Sequence, residues 1–366
     1  MSRLGSFPLR TALAALERHA NTPRITFDPF CGKGTTLFAA RLAGSQAYGL
    51  DTGPEAVICS QAKLANITIE DAEAYLKIIR MTKADLSRVP DEVKVFFHPR
   101  TLEQIISINR KLRRSRTEGS RKEQEIATTV QAALLGILHG HASYSLSIPS
   151  AHAYAMAPQY VSRYAEANGL EPPLQDVRHC LLTKLRRCFR QPLPPPVKSQ
   201  VKCGRAQEAV QIYPHLVRKV DCVLTSPPYL ASHTYAKDNW LRQWLLGYDY
   251  RELASDYLQT GSMPRYAEQM RVVIHNIATL LRPGGRLICI IGHGRLGTQT
   301  KDAQTVNLQR LYEDLFREAT PALRLDHIET ESVLNTRRYL HALKATNGHH
   351  GDIRMEYTLI ATKAKD

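Results

Sequence analysis

The chain of 366 residues carries 49 Lys and Arg against 34 Asp and Glu, a formal net charge of +15, with 43% hydrophobic and 23% charged residues. That balance excludes a mostly disordered chain, and the length supports either one large domain with an insertion or two domains. The positive surplus favours a polyanionic partner, of which nucleic acid is the commonest. No apolar run approaches the roughly 18 to 20 residues that span a bilayer, and the start lacks a basic region leading into an apolar stretch and a cleavage site. A cytoplasmic protein with no membrane partner is expected. The seven cysteines, Cys31, Cys59, Cys180, Cys188, Cys203, Cys222 and Cys289, are scattered and form no C-x-x-C pair, so reduced core thiols are expected rather than disulfides or a zinc site.

In chain order, residues 24–28 (RITFD) read as a strand and 35–43 (TTLFAARLA) as a helix. A second strand over 47–50 ends at Asp51, and a helix follows from Glu55 to about Leu64, completing a β-α-β unit. From about 67 to 197 the apolar spacing is helical, as in Leu102, Ile105, Ile106 and Leu112. This is too long for a crossover and predicts an inserted helical subdomain, with the prolines of 192–196 (PLPPP) marking its exit. Residues 201–203, 220–225, 286–291, 325–333 and 354–362 read as further strands, making seven. The expected organisation is α/β with a largely parallel sheet: 1–66 and 198–366 form the sheet domain and 67–197 the insertion.

Two motifs carry chemistry. Residues 28–36 (DPFCGKGTT) join the first strand to its helix, and glycines in such a turn let backbone approach a ligand while the helix N-terminus offers free N–H groups. Neither a phosphate loop nor an intact G-x-G-x-x-G is present, which disfavours NTP and NAD. Asp51, at the end of the second strand, can accept from both hydroxyls of a ribose, or can serve only as a helix-start acid. A nucleoside without a pyrophosphate fits this pattern. Residues 221–229 (DCVLTSPPY) end another buried strand, where two prolines hold the Ser226 hydroxyl and the Pro227 carbonyl in place. Those two oxygens can accept from one exocyclic amine, and Tyr229 offers a ring for a planar base.

Together the two motifs resemble those of the S-adenosylmethionine-dependent DNA amino-methyltransferases, which modify N4 of cytosine or N6 of adenine. The T-S-P-P-Y form is similar to the cytosine-N4 branch. Ser6-Phe7-Pro8, residues 48–51 (YGLD), 235–249 (YAKDNWLRQWLLGYD) and 280–292 (LLRPGGRLICIIG) extend the resemblance. It implies a class I methyltransferase (Rossmann-like) fold, a seven-stranded mixed sheet with an inserted helical subdomain. It also implies S-adenosyl-L-methionine as cofactor, held by Phe7, Asp28, Phe30, Gly32, Gly34, Thr35, Thr36, Asp51 and Thr225. Ser226, Pro227, Pro228 and Tyr229 would act on a flipped base. Two features differ from many members. The cofactor motif precedes the S-P-P-Y motif, and the third strand is followed by residues 204–208 (GRAQE), leaving the adenine contact unassigned.

Arg110, Lys111, Arg113, Arg114 and Arg116, followed by Arg121 and Lys122 and later by Lys184, Arg186, Arg187 and Arg190, would by themselves read as a solvated face. In an enzyme of this resemblance they become expected phosphate contacts, as do Arg337 and Arg338 between the last two strands. The His-, Ser- and Tyr-rich segment 139–160 is a candidate lining for a base pocket; His139-x-His141 is a weak metal signal, and no metal is expected. The expected partners are double-stranded DNA and a cognate restriction endonuclease. The rival readings are adenine-N6 methylation, guanine-N2 methylation of structured RNA, and a catalytically silent DNA-binding protein.

Overall fold

The computed structural model describes residues 7–150, 157–228, 230, 235–258, 260, 262–296, 304–319, 322–334 and 353–365. Tyr229, Arg337 and Arg338 lie outside them. Among the described residues the strands are β1 (Ile25–Asp28), β2 (Gln46–Asp51), β3 (Ser199–Cys203), β4 (Val220–Thr225), β5 (Leu281–Ile291), β6 (His293–Leu296), β7 (Gln304–Asn307), β8 (Leu323–Leu334) and β9 (Ile353–Lys363). Seven form one sheet in the order β3-β2-β1-β4-β5-β9-β8, while β6 and β7 make a separate antiparallel ribbon. Strands β1 to β5 pair in parallel, and β9 runs antiparallel to both β5 and β8. The result is a Rossmann-like mixed sheet of seven strands.

All seven strands expected from the sequence are present, β4 with the expected ends and the other six with shifted ones. The largest shift is at β5, which begins at Leu281 instead of 286. Its Arg-Pro-Gly-Gly segment is carried into the sheet through a register irregularity opposite β4. A Cβ on Gly285 would stand 2.9 Å from the carbonyl oxygens of Arg282 and Val220, so this approach requires glycine.

Helices α1 (Leu9–Ala20), α2 (Thr35–Leu42) and α3 (Pro54–Leu64) belong to the first part of the chain. Apolar residues alternate along the strands, so each face gains its own core. On one face Ala12, Ala15 and Leu16 of α1 pack with Cys222, Leu224, Ile288 and Ile290. On the other, Phe27, Tyr48, Val223, Leu287 and Cys289 pack with Tyr266, Met270 and Ile274 of the helix Met263–Leu280. None of the seven cysteines, all of them among the described residues, is joined in a disulfide.

The chain divides into two compact units. The sheet unit comprises Leu4–Ser60, Val197–Tyr235 and Leu253–Asp366, and the helical unit Gln61–Pro196 and Ala236–Glu252. The second contains α4 (Ile69–Ile78), α5 (Asp91–Lys94), α6 (Pro99–Glu118), α7 (Arg121–Ile137), α8 (Pro158–Ala167) and α9 (Val177–Cys188). In α6 Leu102, Ile105, Ile108 and Leu112 recur at helical spacing and all are buried. The helical unit is therefore not the single stretch 67–197. The helix Trp240–Leu246 joins it because Trp240 packs edge-on against Phe96, Asn109 Nδ2 donates to the Leu245 carbonyl at 2.7 Å, and Arg242 Nε donates to the Leu135 carbonyl at 3.1 Å. Among the described residues no helix is long and apolar enough to cross a membrane.

Candidate active site

In a parallel sheet, the carboxyl ends of strands at the point where the strand order reverses form a natural crevice. Here β1 lies between β2 and β4, so the ends of these three strands bring Asp51, Asp28 and Thr225 side by side. Thr225 Oγ1 donates to Asp28 Oδ1 at 2.7 Å, a bond across 197 residues that joins the two sequence motifs. The Phe30 N–H donates to the same oxygen at 3.0 Å. Burial pushes the Asp28 carboxyl up to about 6, against the lowering effect of the Thr225 and Thr36 hydroxyls and the Phe30 N–H; the nearby Asp51 charge adds to the rise.

The glycine turn after β1 is built from the backbone. Cys31 N–H donates to the Leu50 carbonyl at 2.9 Å and Gly34 N–H to the Cys31 carbonyl at 2.7 Å. Gly32 and Gly34 have φ of +52° and +75°, in the left-handed region that costs other residues energy. At Gly34 packing adds a second demand, since a Cβ would lie 2.7 Å from Ser60 Oγ and 2.9 Å from Ser60 Cα. Ser60 Oγ in turn donates to the Gly32 carbonyl at 2.9 Å. Helix α2 then starts without a side-chain N-cap, so its first N–H groups are left for other acceptors. Thr35 and Thr36, in its first turn, are buried.

Asp51 does more than end a strand. Its Oδ2 accepts the Gly32 N–H and its Oδ1 the Gly53 N–H, each at 2.8 Å. The carboxylate thus clamps the glycine turn to the β2 exit. At the end of β4, Ser226 and Pro228 are half-buried and Pro227 is buried. The Pro228 carbonyl accepts the Tyr266 hydroxyl at 2.9 Å, and Tyr266 and Tyr312 share a buried hydroxyl-to-hydroxyl bond of 2.8 Å. The rigid proline loop is therefore braced from behind.

The remaining expected cofactor residues are placed differently. Phe7 is buried in the cluster between α1 and the sheet, and Phe30 is partly buried against the opposite core. In residues 204–208, the Gly204 N–H pairs with the Asp51 carbonyl and Arg205 with Glu208, the latter at 2.9 Å.

In the helical unit, Arg110, Lys111, Arg113 and Arg114 are exposed along α6. Arg114 pairs with Glu118 at 2.7 Å, and Lys111 stands 3.8 Å from Glu123. Arg116 points into the unit: its guanidinium donates to Gln131 Oε1 at 2.7 Å, Gln131 donates to Asn109 Oδ1 at 2.8 Å, and burial lowers the arginine's pKa. His139, considered for a base pocket, is a buried core residue held by Ser147 at 2.7 Å and Ser150 at 3.1 Å, with Phe96 edge-on to its ring.

No family model matches the chain, and no curated protein matches it. Among solved structures, TrmN from Thermus thermophilus is 12% identical, with a TM-score of 0.34 and coverage of 98% of this chain and 50% of that one. A candidate DNA modification methylase, also from Thermus thermophilus and complexed with S-adenosyl-L-methionine, is 17% identical at a TM-score of 0.27, covering 44% of this chain and 52% of its own. A SAM-dependent methyltransferase from Methanosarcina mazei is 9% identical at a TM-score of 0.36, covering 99% and 100%. The chain spans about half the length of the first two proteins.

Three residues of the site were not singled out from the sequence. Tyr213 donates to the carbonyls of Gly49 at 2.9 Å and Gln200 at 3.0 Å behind β2, and Ser60 and Tyr266 brace the two loops. Each stands far along the chain from its motif, so local pattern carries no signal for it.

Proposed function

We propose that this protein is an S-adenosylmethionine-dependent methyltransferase acting on an exocyclic base amine of double-stranded DNA, with N4 of cytosine as the target. The observation that carries this reading is the Thr225–Asp28 hydrogen bond, which sets the S-P-P loop beside the glycine turn. The donor set suits the cofactor. Asp51, at the end of β2, is the acceptor proposed for the ribose hydroxyls, Asp28 adds a second carboxylate near a cationic ligand, and the uncapped start of α2 offers N–H groups to a carboxylate. Gly32, Gly34, Thr35, Thr36 and Thr225 complete the cradle.

When bound, S-adenosylmethionine would supply an electrophilic methyl group, with a neutral thioether as the leaving group. The chain's own part is positioning and electrostatics. An exocyclic amine is a poor nucleophile because its lone pair is conjugated with the ring. Ser226 Oγ and the Pro227 carbonyl accept its N–H bonds and draw the lone pair out of conjugation; the nitrogen then gains the methyl carbon and releases one proton to solvent. Tyr229 stacks on the extruded base. The exposed cations of α6 serve the phosphates, and a cognate restriction endonuclease would be the biological counterpart.

The test is cofactor calorimetry combined with methyl transfer to duplex DNA and mass spectrometry of the product nucleosides. N4-methylcytosine is the expected product. N6-methyladenine as the sole product would move the target base, transfer to structured RNA alone would move the substrate class, and absence of cofactor binding would overturn the reading.

A further inference from the structure

Outside both motifs, the last turn of α1 and the edge strand β8 bring three donor side chains together. His19 Nε2 lies 3.2 Å from Glu329 Oε1, and His327 Nε2 lies 3.9 Å from the same oxygen. One donor atom from each of the three residues falls within 4.8 Å of the others. His327 and Glu329 are two residues apart on β8, so their side chains leave the same face of the strand. His19 reaches them from α1, its ring 5.7 Å from that of His327.

The second observation concerns burial. The His19 side chain is only 9% exposed, and its Nε2 is buried and makes no hydrogen bond, although the Glu329 oxygen is near. A buried polar nitrogen left without a partner is costly, and a coordinated cation removes that cost. We propose that His19, His327 and Glu329 form a binding site for one Zn²⁺ ion, which staples the end of α1 to β8.

The chemistry of the set favours this ion. Two imidazoles and one carboxylate suit zinc, whereas magnesium and calcium call for oxygen donors. Zinc bonds of about 2.0 to 2.2 Å in a tetrahedral arrangement place donors about 3.3 Å apart. The separations of 3.2 and 3.9 Å come close to this, and small rotations of the half-exposed Glu329 and the exposed His327 close the rest. A water completes the shell. One group opposes binding: Arg18 Nη1 lies 3.5 Å from Glu329 Oε2 and competes for the carboxylate. At 61% exposure that side chain is free to swing into solvent.

The experiment uses the full chain stripped with a chelator and titrated with Zn²⁺ by calorimetry, with Co²⁺ as a spectroscopic probe and thermal melts alongside. One ion per chain, a higher Tm and the visible absorption of tetrahedral Co²⁺ are expected. Even outer-shell changes at metal sites cost about 10- to 100-fold in affinity, so His19→Ala and Glu329→Gln should each weaken binding at least that much. Arg18→Gln should tighten it by freeing the carboxylate. Should His19→Ala fail to fold, Glu329→Gln at the surface still decides the matter. An isotherm that is the same for wild type and Glu329→Gln, or no saturable binding at all, overturns the site.

Discussion

Asp28 is the residue whose environment most alters its chemistry. Burial raises its pKa from 3.8 to about 6 in the folded chain, so between those values the native state holds a proton that the unfolded state has released. The sign follows: this group's cost to stability is absent below about pH 4, grows as the pH rises to about 6, and is constant above. Asp28→Asn keeps an acceptor for Thr225 and Phe30 but removes the ionisation. We expect it to be more stable than the wild type at pH 8 by on the order of 2 to 3 kcal/mol, with the gain vanishing at pH 4. Urea melts at the two pH values check this, and an equal gain at both would assign the effect to packing. A second residue-scale prediction concerns Tyr266, whose hydroxyl supports the Pro228 carbonyl. Tyr266→Phe should slow single-turnover methyl transfer about tenfold, equivalent to roughly 1.4 kcal/mol, while cofactor affinity stays unchanged. A parallel fall in affinity would mean the whole sheet end had moved.

Among the elements, the glycine turn and α6 make opposite demands on their residues. Gly34 is required twice over, by its φ of +75° and by the closeness of Ser60. Gly34→Ala should cost more than about 2 kcal/mol, of which about 1 to 2 comes from the left-handed backbone. Adding Ser60→Gly should restore only part, because Ser60 Cα also lies within 2.9 Å. Full rescue in thermal melts would show that the backbone conformation is not strained. Along α6 the arginines divide between surface and interior. Arg110 and Arg113 are exposed, whereas Arg116 is bonded to Gln131 within the helical unit. Replacing Arg110 and Arg113 by Gln should lower the slope of log affinity for DNA against log salt by up to about 1.8, at about 0.9 per lost phosphate contact. Arg116→Gln should lower Tm and leave that slope alone. Fluorescence anisotropy across a salt series separates the two outcomes.

For the whole molecule, the helical unit is assembled from two distant stretches of chain. A fragment of residues 67–197 alone would lose the Trp240 ring from Phe96 and leave the Asn109 amide without the Leu245 carbonyl. Buried groups stripped of partners typically cost about 1 to 3 kcal/mol each, a large share of a small domain's roughly 5 to 15 kcal/mol. The fragment should therefore melt broadly by circular dichroism and bind a hydrophobic dye, and a sharp cooperative melt would contradict this. The charge of +15 belongs to the same scale, since it favours any polyanion and carries no base specificity.

Much of the sheet was legible before any coordinates. Strand and helix periods are local, and so are the demands of a glycine turn or a double proline, so seven strands and both motifs could be read directly from the chain, the motifs as residues 28–36 and 221–229. The order of the strands was decided by the folded chain. The meeting of Thr225 with Asp28, across 197 residues, needed the folded chain. The same holds for Arg116, indistinguishable in sequence from its neighbours until Gln131 claims it, and for His139, drawn into the core by Ser147 and Ser150. It holds again for the helix Trp240–Leu246, whose place with the helical unit depends on contacts to Phe96, Asn109 and Leu135. The physical reason is common to all of them. Residue type and spacing set what a side chain can do, but burial and the partner it meets are properties of chain segments that are distant in sequence, and only packing brings those together.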